Sequence, residues 1–260
     1  MQKTFIVTGS SSGLGASIVK SLRGKGNHVI GVDQKEDADI VADLSTQMGV
    51  IEALDHAFSI CPTPAGVVSN AGVSPLHGNP YEILEVNWFS AHYVLDASLS
   101  FLSETPDSSA VGISSIGAAV GGDEQLISSL LSDDRENAYS LLKLLLDNDP
   151  DSAGIVAYSS CKAALAVHVR RNAQVWGSLG VRCNIVAPGK MDTAMLDGLL
   201  ADPILSPGVS NLPFGIESTA QPQQIADVVE FLLGPSSSFI HGQVIYVDGG
   251  TEAIIRPDLV

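Results

Sequence analysis

Basic residues are scarce in this 260-residue chain: 13 Lys and Arg stand against 29 Asp and Glu, a formal net charge of −16 at pH 7. Nucleic acids and anionic membranes are gripped by a basic face, so neither is expected as a partner. Cysteine is nearly missing too. Cys61, Cys161 and Cys183 are an odd number without CxxC spacing, which predicts free thiols in a reducing compartment, hence a cytoplasmic protein. No apolar run approaches the ~20 residues a membrane span needs. Gln2-Lys3-Thr4 leads straight into a short apolar stretch, with no pattern of a secretory leader. Charged residues make up only 16% of the chain and hydrophobic ones 45%, as in a folded soluble protein. The length allows a full core and suits one domain, residues 1–260, of the α/β kind. Repeats, low-complexity tracts and linkers are lacking as well.

What is present is a regular alternation. Residues 5–7 read as a buried strand, 8–15 (TGSSSGLG) as a Gly-rich turn, 16–22 as a helix, and 28–32 as a second strand ending on Asp33. Strand, Gly-rich turn, helix, strand, acid is the order a dinucleotide site requires. Glycine lets the backbone approach a pyrophosphate, whose charge suits the helix N-terminus. Asp33 stands where a carboxylate accepts both ribose hydroxyls and repels a 2′-phosphate, so NAD is favoured over NADP. Lys35 argues the other way, and a solvated loop lysine is its better reading. Residues 39–44 predict a third strand with Asp43 at its end, near the adenine edge; 46–60 predict a helix and 66–69 a fourth strand. Asn70-Ala71-Gly72 follows, Asn able to bond across strands and Gly leaving room for a cofactor. Pro80 starts a long helix in which Asn87 has poor propensity; such a residue can kink the ladder, expose a carbonyl or hold a water. Residues 110–115 predict a fifth strand, 181–186 a sixth ending in Ala187-Pro188-Gly189, 222–233 a helix capped by Gln221-Pro222, and 244–247 a seventh strand. The fold class is therefore α/β, one doubly wound parallel sheet of the Rossmann type. Gly9, Asp33, Asn70 and Ser115 all fall beyond carboxyl ends of strands, where such sheets collect their chemistry.

Tyr158 and Lys162 lie four apart, one turn from each other on one helix face. A phenol titrates near ~10, too high for proton exchange at neutral pH. A fixed ammonium beside it favours the phenolate, which suits acid–base chemistry on an alcohol or ketone. A surface Tyr–Lys pair is the plain alternative for YxxxK alone. Cys161 beside Lys162 faces another way and reads as packing.

In order along the chain, TGSSSGLG at 8–15, Asp33, Asp43, NAG at 70–72, Asn87, Ser115, YSSCK at 158–162 and PGKMDT at 188–193 resemble the short-chain dehydrogenase/reductase family from residue 3 to about 250. The resemblance implies that Tyr158 passes the proton, that Lys162 lowers its pKa and holds the nicotinamide ribose, and that Ser115 bonds the substrate oxygen. It also implies a water held by Asn87 and a carboxamide contact from Thr193. Gly9, Ser12, Gly13, Leu14, Asp33, Asp43, Leu44, Asn70, Ala71, Gly72, Pro188 and Gly189 complete the expected cofactor set, with NAD the cofactor and no metal. Ser114 is a rival for the serine role; an alternating strand points one of the two at the substrate, and Ser115 is chosen. A nearer resemblance is to the bacterial 3α-hydroxysteroid dehydrogenase/carbonyl reductase branch. It rests on VADLST at 41–46, FIHG at 239–242, the tail from Asp248-Gly249-Gly250 to Arg256-Pro257, and a long insert between Ser115 and Tyr158.

That insert, about 121–154, follows the fifth strand and carries leucines at helical spacing (Leu126, Leu130, Leu131; Leu141, Leu142, Leu145), so two extra helices are expected. The family builds subunit contacts nearby, and the insert is expected to leave a homodimer in place of a tetramer. Asp147-Asn148-Asp149-Pro150-Asp151 ends a helix and turns the chain in preference to binding a cation. Residues 190–215, a short apolar helix between Pro- and Gly-rich hinges, read as a lid over a nonpolar substrate, although a helix that merely packs explains the same leucines. The partner expected is a neutral hydrophobic alcohol or ketone: a steroid, or an aryl, terpenoid or lignin-type molecule. A silent NAD-sensing protein would not need Ser115, Tyr158 and Lys162, and a dehalogenase on this scaffold would lack the Gly-rich turn.

Overall fold

Seven short segments pair in parallel in the order β3-β2-β1-β4-β5-β6-β7. They are β1 (Thr4–Thr8), β2 (His28–Asp33), β3 (Ile40–Val41), β4 (Gly66–Ser69), β5 (Ser109–Ile113), β6 (Arg182–Pro188) and β7 (Val244–Val247). The computed structural model describes residues 2–259. Helices fill both faces: α1 (Gly13–Gly24), α2 (Gln47–Ile60), α3 (Pro80–Leu84), α4 (Ala91–Leu102), α5 (Gly117–Val120), α6 (Glu124–Leu131), α7 (Arg135–Asn148), α8 (Pro150–Arg171), α9 (Ala173–Ser178), α10 (Ala194–Ala201), α11 (Ser206–Ser210), α12 (Pro222–Leu233) and α13 (Thr251–Ile255). No helix among the described residues is long and apolar enough to cross a membrane.

The central strands are apolar throughout because both faces are covered. Alternation along β1 sends Phe5 and Val7 to one side, with Leu14, Ile18 and Val229 of α1 and α12. Ile6 points to the other, with Leu54, Leu95 and Leu165 of α2, α4 and α8. The chain reverses its winding between β1 and β4, so a crevice opens beyond their carboxyl ends. Gln221 begins α12 in a capping box, its backbone N–H donating to Gln224 Oε1 at 2.7 Å.

Several expected bounds move, each for a local reason. The third strand keeps only Ile40–Val41. Asp43 ends it early, because its carboxylate accepts the Ser45 N–H (2.9 Å) and hydroxyl (2.7 Å) in a turn that leads to the Thr46 cap of α2. The fifth strand stops at Ile113, before the two serines, so strand alternation does not choose between them. The long helix after Pro80 is broken by a π turn, Glu85–Ser90, with Asn87 inside it. The insert supplies α6 and α7, whose Leu126, Leu130 and Leu142 are fully buried. Residues 150–154, reckoned with the insert from sequence, form the first turn of the Tyr158 helix. Asp149 is at once the C-cap of α7 and the N-cap of α8, accepting the Ser152 N–H and hydroxyl.

Gly154 is where the chain leaving β4 meets α8. A Cβ there would collide with the Pro75 carbonyl. Alanine ordinarily adds about 1 kcal/mol to a helix over glycine. Gly154→Ala is expected instead to cost about 1–3 kcal/mol, because the backbone near Pro75 must be pushed aside. Thermal unfolding checks this, and an unchanged midpoint would mean that the segment yields freely.

Candidate active site

The Gly-rich turn is shaped by its neighbours. Gly9 has φ +66°, and a Cβ on it would sit 2.8 Å from Ala71 Cα. Asn70 ties the turn to the end of β4 by donating to the Thr8 and Gly9 carbonyls at 3.0 and 3.1 Å. Thr8 Oγ1 returns the tie, accepting the N–H groups of Asn70 and Ala71 at 3.0 and 3.1 Å. Ser12, the N-cap of α1, makes no side-chain cap bond, so the first-turn amides remain donors for an anion. Asp33 is buried at the end of β2, its carboxylate accepting the N–H groups of Ser11 (3.0 Å) and Lys35 (3.1 Å).

On the other side of the crevice, Lys162 is 3% exposed and donates from Nζ to the Ile113 carbonyl at 3.0 Å. Burial brings its pKa down to about 8. Both serines border the cavity, but Ser114 is buried and its hydroxyl is committed to the Lys162 carbonyl at 2.7 Å, whereas Ser115 is partly exposed. The Ser115 hydroxyl accepts the Gly117 N–H at 3.1 Å. Burial holds the Tyr158 phenol above its usual value, and its hydrogen bond with Ser115 opposes that. The Lys162 ammonium points to Ile113 and lies 5.6 Å from the centre of the Tyr158 ring, so no direct bond joins it to the phenol. Asn87 is fully buried; it accepts the Val73 N–H at 3.2 Å and donates to the Val73 carbonyl at 3.1 Å. A Cβ on Gly72 would lie 2.7 Å from Asn87 Oδ1 and 3.4 Å from Lys162 Nζ, so this glycine separates the two groups. Cys161 packs inward against the Ile83 carbonyl.

One cavity of about 730 Å³ joins these parts. Its walls include every residue singled out from sequence: Gly9, Ser12, Gly13, Leu14, Asp33, Asp43, Leu44, Asn70, Ala71, Gly72, Asn87, Ser115, Tyr158, Lys162, Pro188, Gly189 and Thr193. The remaining wall is largely apolar, with Val73, Ile155, Met191, Leu196, Leu199 and Val209. Two groups there were missed. His77 and Glu82 line the cavity with Nε2 and Oε2 3.6 Å apart. From sequence they look like ordinary residues around the Asn79 cap of α3, and no spacing betrays that they face inward. The inward bond of Ser114 was equally invisible, because it depends on where α8 docks.

Comparison with known proteins follows the geometry. The chain is 32% identical over 253 residues to the 3-alpha-hydroxysteroid dehydrogenase/carbonyl reductase of Comamonas testosteroni, covering 97% of each. The chain belongs to the short-chain dehydrogenase/reductase family. A family model for Enoyl-(Acyl carrier protein) reductase matches residues 150–252 of this dehydrogenase/reductase. The enzyme is also 32% identical over 263 residues to the coniferyl-alcohol dehydrogenase of a Pseudomonas strain, covering 95% of this chain and 96% of the relative. Among solved structures it superposes on the 3-alpha-hydroxysteroid dehydrogenase of Pseudomonas sp. B-0831 complexed with NADH, with a TM-score of 0.92 at 33% identity, covering 99% and 100% of the two chains. As a member of this family it is an oxidoreductase acting between alcohols and ketones.

The buried ammonium has a measurable consequence. Lys162 binds its proton less tightly in the folded protein (about 8) than its ordinary 10.5. The unfolded chain therefore holds more protons between those values, and folding stability rises as pH climbs through that window. Lys162→Met removes the penalty and is expected to raise the thermal midpoint at pH 7 by on the order of 5 °C. The gain should shrink between pH 8 and 10.5. A midpoint that falls at pH 7 would overturn this account.

Proposed function

We propose that this enzyme uses NAD(H) to interconvert a hydrophobic secondary alcohol and its ketone, 3α-hydroxysteroids being the substrate class best supported. The observation that carries the reading is the meeting, in one cavity, of a Gly-rich turn, a buried acid at the end of β2 and the Ser115–Tyr158–Lys162 group beside an apolar wall. The residues present fit a dinucleotide. Uncapped amides at the start of α1 suit the pyrophosphate, and glycines at 9 and 13 leave no side chain in its way. Asp33 suits the adenosine ribose, Asp43 and Leu44 the adenine side, and Asn70, Ala71 and Gly72 the middle of the molecule. Pro188, Gly189 and Thr193 line the nicotinamide end.

When bound, the nicotinamide supplies the hydride chemistry. The chain supplies the proton and the orientation. Tyr158 Oη gives a proton to the ketone oxygen in reduction and takes it back in oxidation. Ser115 holds that oxygen in line. Lys162 brings a positive charge that favours the phenolate once its ammonium reaches the cofactor ribose. Asn87 holds a water that joins Lys162 to solvent. Helices α10 and α11 form the lid over residues 190–215, their apolar faces excluding water from the reacting carbon. The hydroxysteroid dehydrogenases of Comamonas and Pseudomonas support a flat polycyclic substrate. The equal identity to a coniferyl-alcohol dehydrogenase supports an aryl alcohol as the second reading.

The test is an absorbance assay with NADH and NADPH over steroid, monoterpene and aryl ketones. Higher kcat/KM with NADH is expected, because Asp33 repels a 2′-phosphate; parity with NADPH would sink the cofactor assignment. In the same assay Tyr158→Phe is expected to lose ~10²–10⁴-fold in kcat at nearly unchanged NADH affinity. A variant that keeps more than about a tenth of the rate would remove Tyr158 from the proton step.

The proposed assembly is a homodimer. The insert covers α8 and reaches the π turn through Arg135 and Tyr139, while Phe239, Phe231, Val175 and Leu179 stay exposed around α9 and the end of α12. Light scattering is expected at about 54 kDa, twice the 27.0 kDa subunit. A mass near 108 kDa, four such subunits by the same closed-symmetry default, would overturn it.

A further inference from the structure

The insert touches the catalytic apparatus from behind. The outer side of the segment holding the π turn shows Tyr81, Glu85 and Phe89, and α7 meets all three. Tyr139 packs its ring on Tyr81, centroids 4.9 Å apart. The Arg135 guanidinium lies 3.9 Å over the Phe89 ring. Between them Glu85, its side chain 11% exposed, accepts both an Arg135 N–H and the Tyr139 hydroxyl on Oε1. Burial and the Glu85 charge push the Tyr139 phenol up to about 12, so it stays a donor. The inner side of the same turn presents Asn87, which brackets the Val73 backbone beside Gly72 and Lys162.

A π turn inside an α-helix carries one residue too many for the regular ladder, and such turns persist where surrounding contacts hold them. A buried carboxylate likewise persists only when paired. The turn packs on α8 and α2 as well, but the charge of Glu85 is met from α7 alone among the described residues, through the Arg135 and Tyr139 side chains. The partners of Glu85 come from the insert, and Glu85 lies two residues from Asn87, which Gly72 separates from Lys162. The insert thus reaches the proton path without touching substrate or cofactor.

We propose that Arg135 and Tyr139 are positioning residues: by clamping Glu85 they fix the π turn and hold Asn87 in register with Lys162, so that the insert sets the rate of proton exchange. This rests on the dehydrogenase reading of the cavity above. The contact of α7 with the turn is made within one subunit, so the clamp works in a monomer and in a dimer alike.

The test is Arg135→Met in the full-length protein, with Arg135→Lys as the conservative partner. Amide exchange of residues 85–90 is expected to quicken in Arg135→Met. Its kcat should fall about tenfold with KM for NADH within about twofold, a split that reports a loss made at the chemical step. The pH limb of kcat should also move by at least ~0.3 unit, and Arg135→Lys should recover most of each change. Should Arg135→Met fail to fold, Glu85→Leu with Arg135→Met carries the same measurements, since it leaves no charge unpaired. Unchanged exchange overturns the proposal. Quicker exchange with a wild-type kcat and pH profile also overturns it, because the clamp would then be packing alone. A wild-type protein that reduces no ketone fails the underlying reading and is recognised before any variant is made.

Discussion

The constraint on which this structure depends is the burial of one ammonium group. Lys162 is nearly covered at the cavity wall and finds its acceptor on the main chain at the end of β5. An unpaired charge there would be untenable, so the helix and the strand end are held at one separation. Ser114 closes the arrangement from the strand side by donating to the lysine's own carbonyl. Tyr158, a turn earlier on α8, inherits its position from this lock. Small residues make the lock possible. Ala153, Ala157 and Ala164 are buried along α8, and Gly112 of β5 leaves room for Leu165 of the same helix, whose Cδ2 would lie 3.7 Å from a Cβ there.

The same crevice separates two kinds of recognition. Polar, backbone-rich surface lies at the ends of β1, β2 and β4, where glycines and amide donors suit the charged dinucleotide proposed above. Apolar side chains from α10 and α11 line the other end, near the Ser115 and Tyr158 hydroxyls. On the function proposed above, specificity for the reacting group and affinity for the body of the substrate would come from different parts of the chain. This agrees with a family in which one scaffold serves many alcohols.

The parts of the site set by local chemistry were legible in the sequence. Gly9 and Gly13 announce a turn open to a phosphate, Asp33 stands at the end of an apolar strand, and Tyr158 and Lys162 share a helix face; all line the cavity. The leucine spacing announced α6 and α7, and the run Asp147-Asn148-Asp149-Pro150-Asp151 announced a helix end, though not that Asp149 also begins the next helix. Less legible were features decided by docking. Ser114 and Ser115 follow β5, so their division of labour comes from where Lys162 presents its carbonyl, which no alternation rule encodes. The phenol of Tyr158 rises through burial, whereas sequence alone suggests that the nearby lysine lowers it. The π turn around Asn87 is written only as a poor helix former. The groups that accompany it lie much later in the chain, Arg135 standing 50 residues after the Glu85 it pairs with.

Asp149 has one more consequence. It ends α7 and begins α8 with no residue to spare, so the two helices meet at a joint without slack. The orientation of α8 is already set by its docking on the sheet. One residue gained or lost near the joint would therefore turn α7 by about 100° about its axis, since an α-helix has 3.6 residues per turn. Arg135 and Tyr139 would swing off the face they now share. The insert is thus keyed in length as well as in composition: it can change its outer surface freely, but the number of residues between Arg135 and Tyr158 behaves as a fixed dimension, like the pitch of a screw thread.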